Sequence, residues 1–312
     1  MLWPVASGLS SWRSPVNLRL EMSSLGDHPL VVLLVLALTP ACVFTPPPPL
    51  PGEVDDGLSK LLGEPTARGG GQGGSTLRDG DDDEEPGRSG ELASRFKRGQ
   101  EPDVGMTLEE IRAFNAAQGD PVDGFYSLED ALAGLPTEGE LWVEFVTARG
   151  VIDCRLFEQL TPVTVANFVG LARGLRPWFD RDAEEWVEGQ PYYDGTTIHR
   201  VIPGFMIQAG DPTATGRGNP GYVIPDEIHP ELGHDGGALS MANKGPNTGS
   251  AQFFVVLEPA AHLDGDHSVF GRCTAAGVEI ANEIANVAVG ADDKPIDDER
   301  IEQVRIVRRP SN

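Results

Sequence analysis

Two neighbouring segments near the middle of the chain alternate apolar and polar side chains with a period of two residues. They cover residues 141–146 and 150–157, and a glycine-containing turn separates them. This alternation is typical of β-strands that bury one face. Residues 301–307, close to the C-terminus, are predicted as a closing strand.

Helical patterns flank these strands. From Thr161 onward apolar side chains recur on one helical face, and Pro162 lies in the first turn, where proline is tolerated. Residues 279–287 are predicted as a further helix. Upstream, the capping-box pattern of residues 107–110 predicts a short helix through about Gln118. Residues 125–132 are a candidate for another, and both either pack on the main domain or remain loosely attached.

A third pattern covers residues 197–211, where an apolar run is interrupted by the turn pair Pro203-Gly204. It predicts a strand, a tight turn and a second strand. Arg200 lies in the first strand, and taken alone it is a surface cation whose stem packs on the sheet. The Trp-bearing segment 175–190 either covers the domain, forms an extra contact surface or is a packed loop.

Composition divides the 312-residue chain. Residues 43–105 are rich in proline, glycine and charge and poor in aromatic and β-branched residues, so they predict a disordered linker. The formal net charge of −24 argues against nucleic acid as a partner, because phosphate binding needs a basic surface.

The segment ahead of this linker resembles an export signal. About ten apolar residues within 29–41 are too few to span a bilayer but suit the hydrophobic region of a signal peptide. Cys42 follows Ala41 in an imperfect bacterial lipobox, so one interpretation is lipidation of Cys42 and membrane anchoring. The alternative is cleavage near Ala41, which gives a soluble periplasmic protein. Translation from Met22 instead of Met1 is a further alternative.

The remaining cysteines, Cys154 and Cys273, belong to no CxxC motif or Cys/His cluster. Whether they pair stays open. The histidines are scattered, so we predict no metal site and no cofactor.

Four blocks occur in order: Thr197–Asp211, Ser240–Asn247, Gln252–Phe254 and Leu263–Gly271. Together they resemble the core of a cyclophilin, a peptidyl-prolyl cis-trans isomerase, over roughly Gly139 to Arg309. The segment from Gly210 to Tyr222 is similar to the shorter version in bacterial cyclophilins.

The resemblance implies a mainly β fold, namely a closed eight-stranded antiparallel barrel capped by two helices. We therefore divide the chain into a signal segment (1–42), a disordered linker (43–105), a short helical lead-in (106–137) and a cyclophilin-like isomerase domain (138–309). Expected partners are proline-containing polypeptides, and the expected state is a monomer.

By the same resemblance, Arg200 is the catalytic donor and Gln208 its orienting partner. The other implied site residues bind substrate: the walls of the proline pocket (Phe205, Met206, Phe254, Leu263, His267), a residue that anchors the substrate chain (Asn243), a surface for the residue before proline (Ala242, Gln252), and His262. His262 departs from the family pattern, since many eukaryotic members have tryptophan there.

These residue types suit the chemistry. Rotation about an X–Pro bond faces a barrier of about 18–20 kcal/mol, because the twisted state loses amide resonance. An apolar slot for the proline ring and a donor to the pyramidal prolyl nitrogen lower that barrier without a cofactor. Guanidinium stays charged and presents several donors.

The leading hypothesis is therefore an exported prolyl isomerase that assists folding in a bacterial cell envelope. A non-catalytic proline-peptide binder or chaperone on the same barrel is the alternative, although a binder could lose Arg200. A tethered surface scaffold is a third class, but the sequence has no repeats or second binding domain to favour it.

Overall fold

A computed structural model describes residue 92 and residues 94–122 and 126–311. The signal and lipidation predictions for residues 1–42, including Cys42, and most of the predicted linker lie outside the described residues. Within the described part, no helix is both long enough and apolar enough to cross a membrane.

One antiparallel sheet of eight strands dominates the structure. Its strands are β1 (Glu140–Thr147), β2 (Gly150–Leu156), β5 (Arg200–Ile202), β6 (Met206–Ala209), β7 (Ala238–Met241), β8 (Phe253–Val256), β9 (Val269–Cys273) and β10 (Ile301–Arg309). Their order across the sheet is β10-β1-β2-β9-β7-β8-β6-β5. The predicted strands at 141–146, 150–157 and 301–307 are confirmed as β1, β2 and β10.

The regular ladder is a curled sheet rather than a complete ring, since β5 and β10 form its two edges. The edges meet just before β5, where Thr197 forms an isolated antiparallel bridge with Arg300. Two backbone hydrogen bonds flank that bridge, from Ile198 N to Glu299 O and from Ile301 N to Thr196 O. The predicted eight strands are present, but a continuous ladder around a closed barrel is not.

Four α-helices are described: α1 (Leu108–Gln118), α2 (Leu128–Leu132), α3 (Pro162–Ala172) and α4 (Ala275–Ala285). The predicted capping box of α1 is confirmed, with the Thr107 side chain and Glu110 bonding each other's backbone. The final helix begins earlier than the predicted 279–287. Its cap explains the difference, because the Thr274 side chain accepts from Gly277 N.

Helix α3 is capped from elsewhere in the chain. Thr161 makes no side-chain cap, and the Glu227 carboxylate instead accepts from the backbone of Val163 and Thr164 at 3.0 and 2.7 Å. A carboxylate at a helix N-terminus is favourable because it bonds free N–H groups and faces the positive end of the helix dipole. Burial nevertheless raises the pKa of Glu227.

The lead-in packs from before the predicted boundary at residue 106. Phe96 is buried edge-on against Phe114 of α1, with ring centroids 5.5 Å apart, and both belong to a small apolar cluster with Met106 and Val223. The C-terminal end of the predicted linker is therefore packed, because these few apolar side chains find partners that its composition does not reveal.

A buried ion pair fastens the lead-in to the main domain. Arg176 donates from Nη1 and Nη2 to the two carboxylate oxygens of Asp120, both at 2.8 Å. The two side chains are 1% and 0% exposed. The guanidinium also lies 3.8 Å from the centre of the Tyr222 ring.

Segment 175–190 forms a two-stranded hairpin, with β3 (Trp178–Asp180) paired to β4 (Glu185–Val187). Phe179 contacts Trp186 within it, and Phe179 N donates to Pro220 O at 2.9 Å. Trp178 and Trp186 also pack against the main apolar cluster. Of the three alternatives, the segment therefore covers the domain.

Cys154 and Cys273 lie opposite each other on β2 and β9 and form a disulfide. The sequence left this pairing open, since the two residues are 119 positions apart.

Candidate active site

Three adjacent strands bring the predicted catalytic residues into one row. Arg200 on β5 is paired with Gln208 on β6, and Gln208 is paired with Phe254 on β8. Ser240 on β7 continues the row beyond Phe254. Directly paired residues of antiparallel strands project from the same face of the sheet, so these four side chains share one surface.

The alternation along each strand separates this surface from the main core. Val201, Ile207 and Val255 point to the other face and belong to the large apolar cluster under the sheet. Residues two positions from the row share its face, including Met206 and Gln252. A one-residue slip of any of these strands would move its site residues into the core.

Arg200 is only partly buried, with 43% of its side chain exposed. Its Nε lies 3.4 Å from Oδ2 of Asp293, which comes 93 residues after Arg200 in the chain. Asp293 adopts a left-handed backbone conformation with φ of 57° at the end of a 3₁₀ turn, Ala291–Asp293. The guanidinium therefore has donors left for another acceptor, while a carboxylate holds it from one side.

Gln208 bonds a different partner from the one predicted. Its Nε2 donates to Gln252 Oε1 at 2.9 Å, and Gln252 Nε2 donates to Gly218 O at 2.8 Å. Gln208 is the cross-strand neighbour of Arg200, but its amide is used in this chain of hydrogen bonds. These two hydrogen bonds hold the loop at Gly218 against the sheet beside Arg200.

The residues that match a proline pocket form one apolar cluster. Met206 and Phe254 are buried in it, and Phe205, Leu263 and Ala242 are partly buried against it. Phe205 follows the Pro203-Gly204 turn, and Gly204 has φ of 70°, which favours glycine. This cluster lies on the face of the sheet that carries Arg200.

His267 and His262 lie at the margins of this cluster. The His267 ring meets Phe254 edge-on at 5.5 Å, and its Nδ1 is 3.2 Å from Met241 O. His262 is exposed in the 3₁₀ turn Ala261–Leu263 and lies 5.6 Å from the Phe205 ring. Both contacts are packing contacts with aromatic walls.

Asn243 and Ala242 line one shallow depression together with Gln208 and Gln252. The Asn243 side chain donates to Asp266 O at 2.7 Å, and Asn243 Oδ1 accepts from Gly245 N at 3.2 Å. Ala242 N donates to Gln252 O at 2.8 Å. The Asn243 side chain is therefore engaged by its own loop, which leaves the backbone of this residue as the part that can face a ligand.

A buried histidine that the sequence did not single out supports the floor of the pocket. His234 stacks on Phe254 with ring centroids 5.8 Å apart and an interplanar angle of 11°. Its Nδ1 is 2.8 Å from Asp264 Oδ1, and its Nε2 is 2.9 Å from Ser240 Oγ. Burial lowers the pKa of His234 even though the Asp264 carboxylate opposes the shift. We attribute this to the ring being fully shielded from solvent while Asp264 remains solvated.

Sequence reasoning also missed Asp293. Neither Asp293 nor His234 carries a local signal, because each acts through a residue more than five positions away. Among the described residues, no group of three or more His, Cys, Asp or Glu side chains is placed to hold a metal ion.

Comparison with known proteins agrees with this geometry. A family model described as cyclophilin type peptidyl-prolyl cis-trans isomerase/CLD matches residues 142–306. Peptidyl-prolyl cis-trans isomerase A of Mycobacterium tuberculosis strain ATCC 25618 / H37Rv is 46% identical over 162 residues, which cover 51% of this chain and 88% of the relative. Peptidyl-prolyl cis-trans isomerase B of Streptomyces anulatus is 43% identical over 173 residues, covering 54% and 98%.

Among solved structures, a cyclophilin type peptidyl-prolyl cis-trans isomerase of Cryptosporidium parvum is 34% identical with a TM-score of 0.47, and the match covers 55% of this chain and 99% of that one. The family model spans more than half of the chain, from β1 to β10. The chain therefore belongs to the cyclophilin-type peptidyl-prolyl cis-trans isomerase family and has that enzyme activity.

Proposed function

We propose that isomerisation takes place on the surface formed by Arg200 and the apolar cluster around Phe254. The observation that carries the proposal is the register that aligns Arg200, Gln208 and Phe254 on three adjacent strands. This register places the Arg200 cation and the apolar cluster on adjacent paired strands, so no flexible loop decides their separation. Proline-containing polypeptides are the substrates.

In this mechanism the proline ring enters the slot between Phe205, Met206 and Phe254. The Arg200 guanidinium then donates to the prolyl nitrogen as the amide twists and its lone pair becomes available. A charge-assisted hydrogen bond made chiefly in the twisted state is worth about 1.5–3 kcal/mol, which is one to two powers of ten in rate. No proton is transferred, so His267 and His262 act as packing groups.

Exchange of Arg200 for alanine tests the mechanism. We expect kcat/KM on short X–Pro peptides to fall by at least about tenfold, because only the twisted state loses its donor. Arg305, an exposed arginine on β10, gives a matched control, and Arg305→Ala should behave as the parent. Equal rates for Arg200→Ala and the parent would remove Arg200 from the mechanism.

The same assay separates catalysis from simple binding. A non-catalytic proline-peptide binder or chaperone would bind X–Pro peptides but leave their isomerisation rate at the uncatalysed value. The partly exposed Arg200 beside the apolar cluster favours catalysis, since binding alone needs only the slot.

We further propose that the chain is exported and assists protein folding in a bacterial cell envelope as a monomer, with Cys42 lipidated. The apolar run before Cys42 supports this proposal. The Cys154–Cys273 disulfide supports it too, because such bonds persist mainly in oxidising compartments.

Expression in a Gram-negative host tests export. Mass spectrometry of the mature protein should find no peptide N-terminal to Cys42, and Cys42→Ala should abolish membrane association. Recovery of an intact 1–41 segment on the folded protein would contradict export, and a soluble periplasmic product that starts near Cys42 would contradict lipidation.

A further inference from the structure

A cavity of about 460 Å³ lies beside the proposed catalytic surface. Four parts of the chain line it: residues 98–102 ahead of α1, Phe114 and Gln118 of α1, the β3–β4 hairpin and the loop 219–223. We call it the side cavity. Its volume falls within the range of about 300–1,000 Å³ that is usual for ligand sites. The lead-in wall precedes residue 142, where the match to the family model begins.

The side cavity is continuous with the catalytic surface. A smaller depression of about 80 Å³ contains Gln208, Gln252, Ala242 and Asn243 in its lining. Pro102, Asn219 and Val223 line both this depression and the side cavity. A chain that passes Gln252 on the side of the residue before proline can thus continue into the side cavity.

Specific contacts hold the walls of the side cavity. Gly99 N donates to Gln118 Oε1 at 2.6 Å, and Gln118 Nε2 donates back to Lys97 O at 3.0 Å. On the opposite wall, a Cβ added to Gly221 would come within 2.5 Å of Phe179 Cβ, so the hairpin and the loop are closely packed. The cavity is thus bounded by docked segments.

The lining combines aromatic surface with two arginines. The Arg98 guanidinium lies 5.5 Å from the centre of the Phe179 ring, and Arg181 Nη2 donates to Asn219 Oδ1 at 3.0 Å. Neither of these partners carries a charge, so neither contact neutralises a guanidinium. Glu184 also lines the cavity, which leaves two cations against one carboxylate on a chain whose formal net charge is −24.

We propose that the side cavity is a binding subsite for the segment of the polypeptide substrate that precedes the X–Pro bond, and that it selects an acidic side chain there. The inference rests on the proposed function, because it takes the direction of the substrate from the catalytic surface. Guanidinium groups suit a carboxylate through paired donors, and the aromatic floor receives the stem of the acidic residue.

A peptide series tests the proposal. Each peptide contains one Ala-Pro bond preceded by a neutral Gly/Ser chain. A single Glu, Gln or Lys is placed in turn two, three, four or five residues before the proline. The readout is the ratio of kcat/KM for the Glu peptide to that for the Lys peptide. We expect a ratio of about three to ten at one or two positions, because exposed ion pairs contribute only modestly.

Variants of the arginines assign the effect. In the double variant Arg98→Ala/Arg181→Ala the ratio should fall to about one, and in Arg181→Glu it should fall below one. Arg305→Ala is the matched control and should keep the ratio of the parent. Higher salt should reduce the ratio, because the pairs are exposed. Thermal unfolding of each variant checks that the fold is kept.

A ratio near one at every position in the parent would overturn the proposal, and so would a high ratio that survives the double variant. Failure of the proposed function has a separate signature, since Arg200→Ala would then leave turnover of the unextended Ala-Pro peptide unchanged. Calorimetric titration of the Glu peptide into parent and double variant gives a reading of the subsite that does not depend on turnover.

Discussion

The proposed proline pocket and the side cavity are neighbours, but they are built in opposite ways. The proline pocket is built around side chains of the paired strands β5, β6, β7 and β8, so backbone register fixes the positions of Arg200, Met206 and Phe254. The side cavity comes from parts of the chain that are distant in sequence, and side-chain contacts and the backbone hydrogen bond from Phe179 N to Pro220 O join them. A family motif can therefore identify the first, whereas one wall of the second lies ahead of the residues that the family model matches.

Removal of the Asp120 carboxylate should separate the two regions most strongly, because it loosens the lead-in beside the side cavity and leaves the proline pocket in place. Asp120→Ala leaves the Arg176 cation buried without its partner, which typically costs about 3–5 kcal/mol. We expect urea unfolding to show a loss of that size, or hydrogen exchange to show separate release of the lead-in. The row of Arg200 and Phe254 does not contact this pair, so turnover of short peptides by the folded protein should persist.

Asp103→Ala gives the matched control. Asp103 pairs with Arg95 at 3.5 Å, and both side chains are about half exposed. Removal of this pair should change the free energy of unfolding by no more than about 1 kcal/mol. Equal effects of Asp103→Ala and Asp120→Ala would show that burial of the ion pair does not fasten the lead-in.

The proline pocket should respond to pH through His234. Because burial lowers its pKa, the unfolded state binds a proton more readily than the folded state. Stability from this residue is fully present above the unfolded pKa of about 6.5. It is lost as the pH falls through the lowered folded value. We expect the free energy of unfolding to decrease as the pH falls from about 6.5 towards the lowered folded pKa of His234.

His234→Gln should flatten that pH dependence, as measured by urea unfolding at a series of pH values. The exposed His262 provides the control, and His262→Gln should keep the slope of the parent. An unchanged slope in His234→Gln would mean that other groups cause the acid sensitivity.

The smallest expected effect concerns Asp293. Asp293→Asn removes a partly exposed carboxylate from Arg200 and keeps a residue that tolerates the left-handed backbone. We expect kcat/KM to rise by less than about fivefold, because the guanidinium no longer divides its donors between Asp293 and substrate. Asp292→Asn is the control, since it removes the neighbouring charge without this contact. A fall in kcat/KM for Asp293→Asn alone would instead identify Asp293 as a positioning residue for Arg200.

Local patterns predicted the elements whose partners are close in sequence. The capping box located α1, and the alternation at 141–157 located β1 and β2. The start of α4 was missed because the residues after its Thr274 cap are two alanines and a glycine, which add little to an apolar pattern. The packing of Phe96 was missed for a related reason, since one apolar residue in a polar segment is indistinguishable from an exposed one until its partner is known.

The candidate site divides in the same manner. The resemblance predicts site roles for Arg200, Gln208 and Phe254, but it does not predict that the Gln208 amide bonds Gln252. Asp293 reaches Arg200 across 93 positions, and His234 supports Phe254 through ring stacking. Such contacts form only when the sheet curls and its loops fold back. The spacing of apolar and polar residues along the sequence therefore does not predict them.

The Cys154–Cys273 bridge makes a closed covalent ring of the chain between its two ends, and every residue of the proposed catalytic surface from Arg200 to His267 lies within that ring. A single proteolytic cut inside the ring opens it but releases no fragment, so both sides of the cut stay on one molecule. A cut between β1 and Cys154 removes the covalent link of the lead-in and β1 to the rest, and a cut between Cys273 and β10 does the same for β10. The disulfide therefore protects the two regions unequally against proteolysis. The catalytic surface stays on one covalent molecule after a single cut, whereas residues 98–102 of the side cavity can be separated from it.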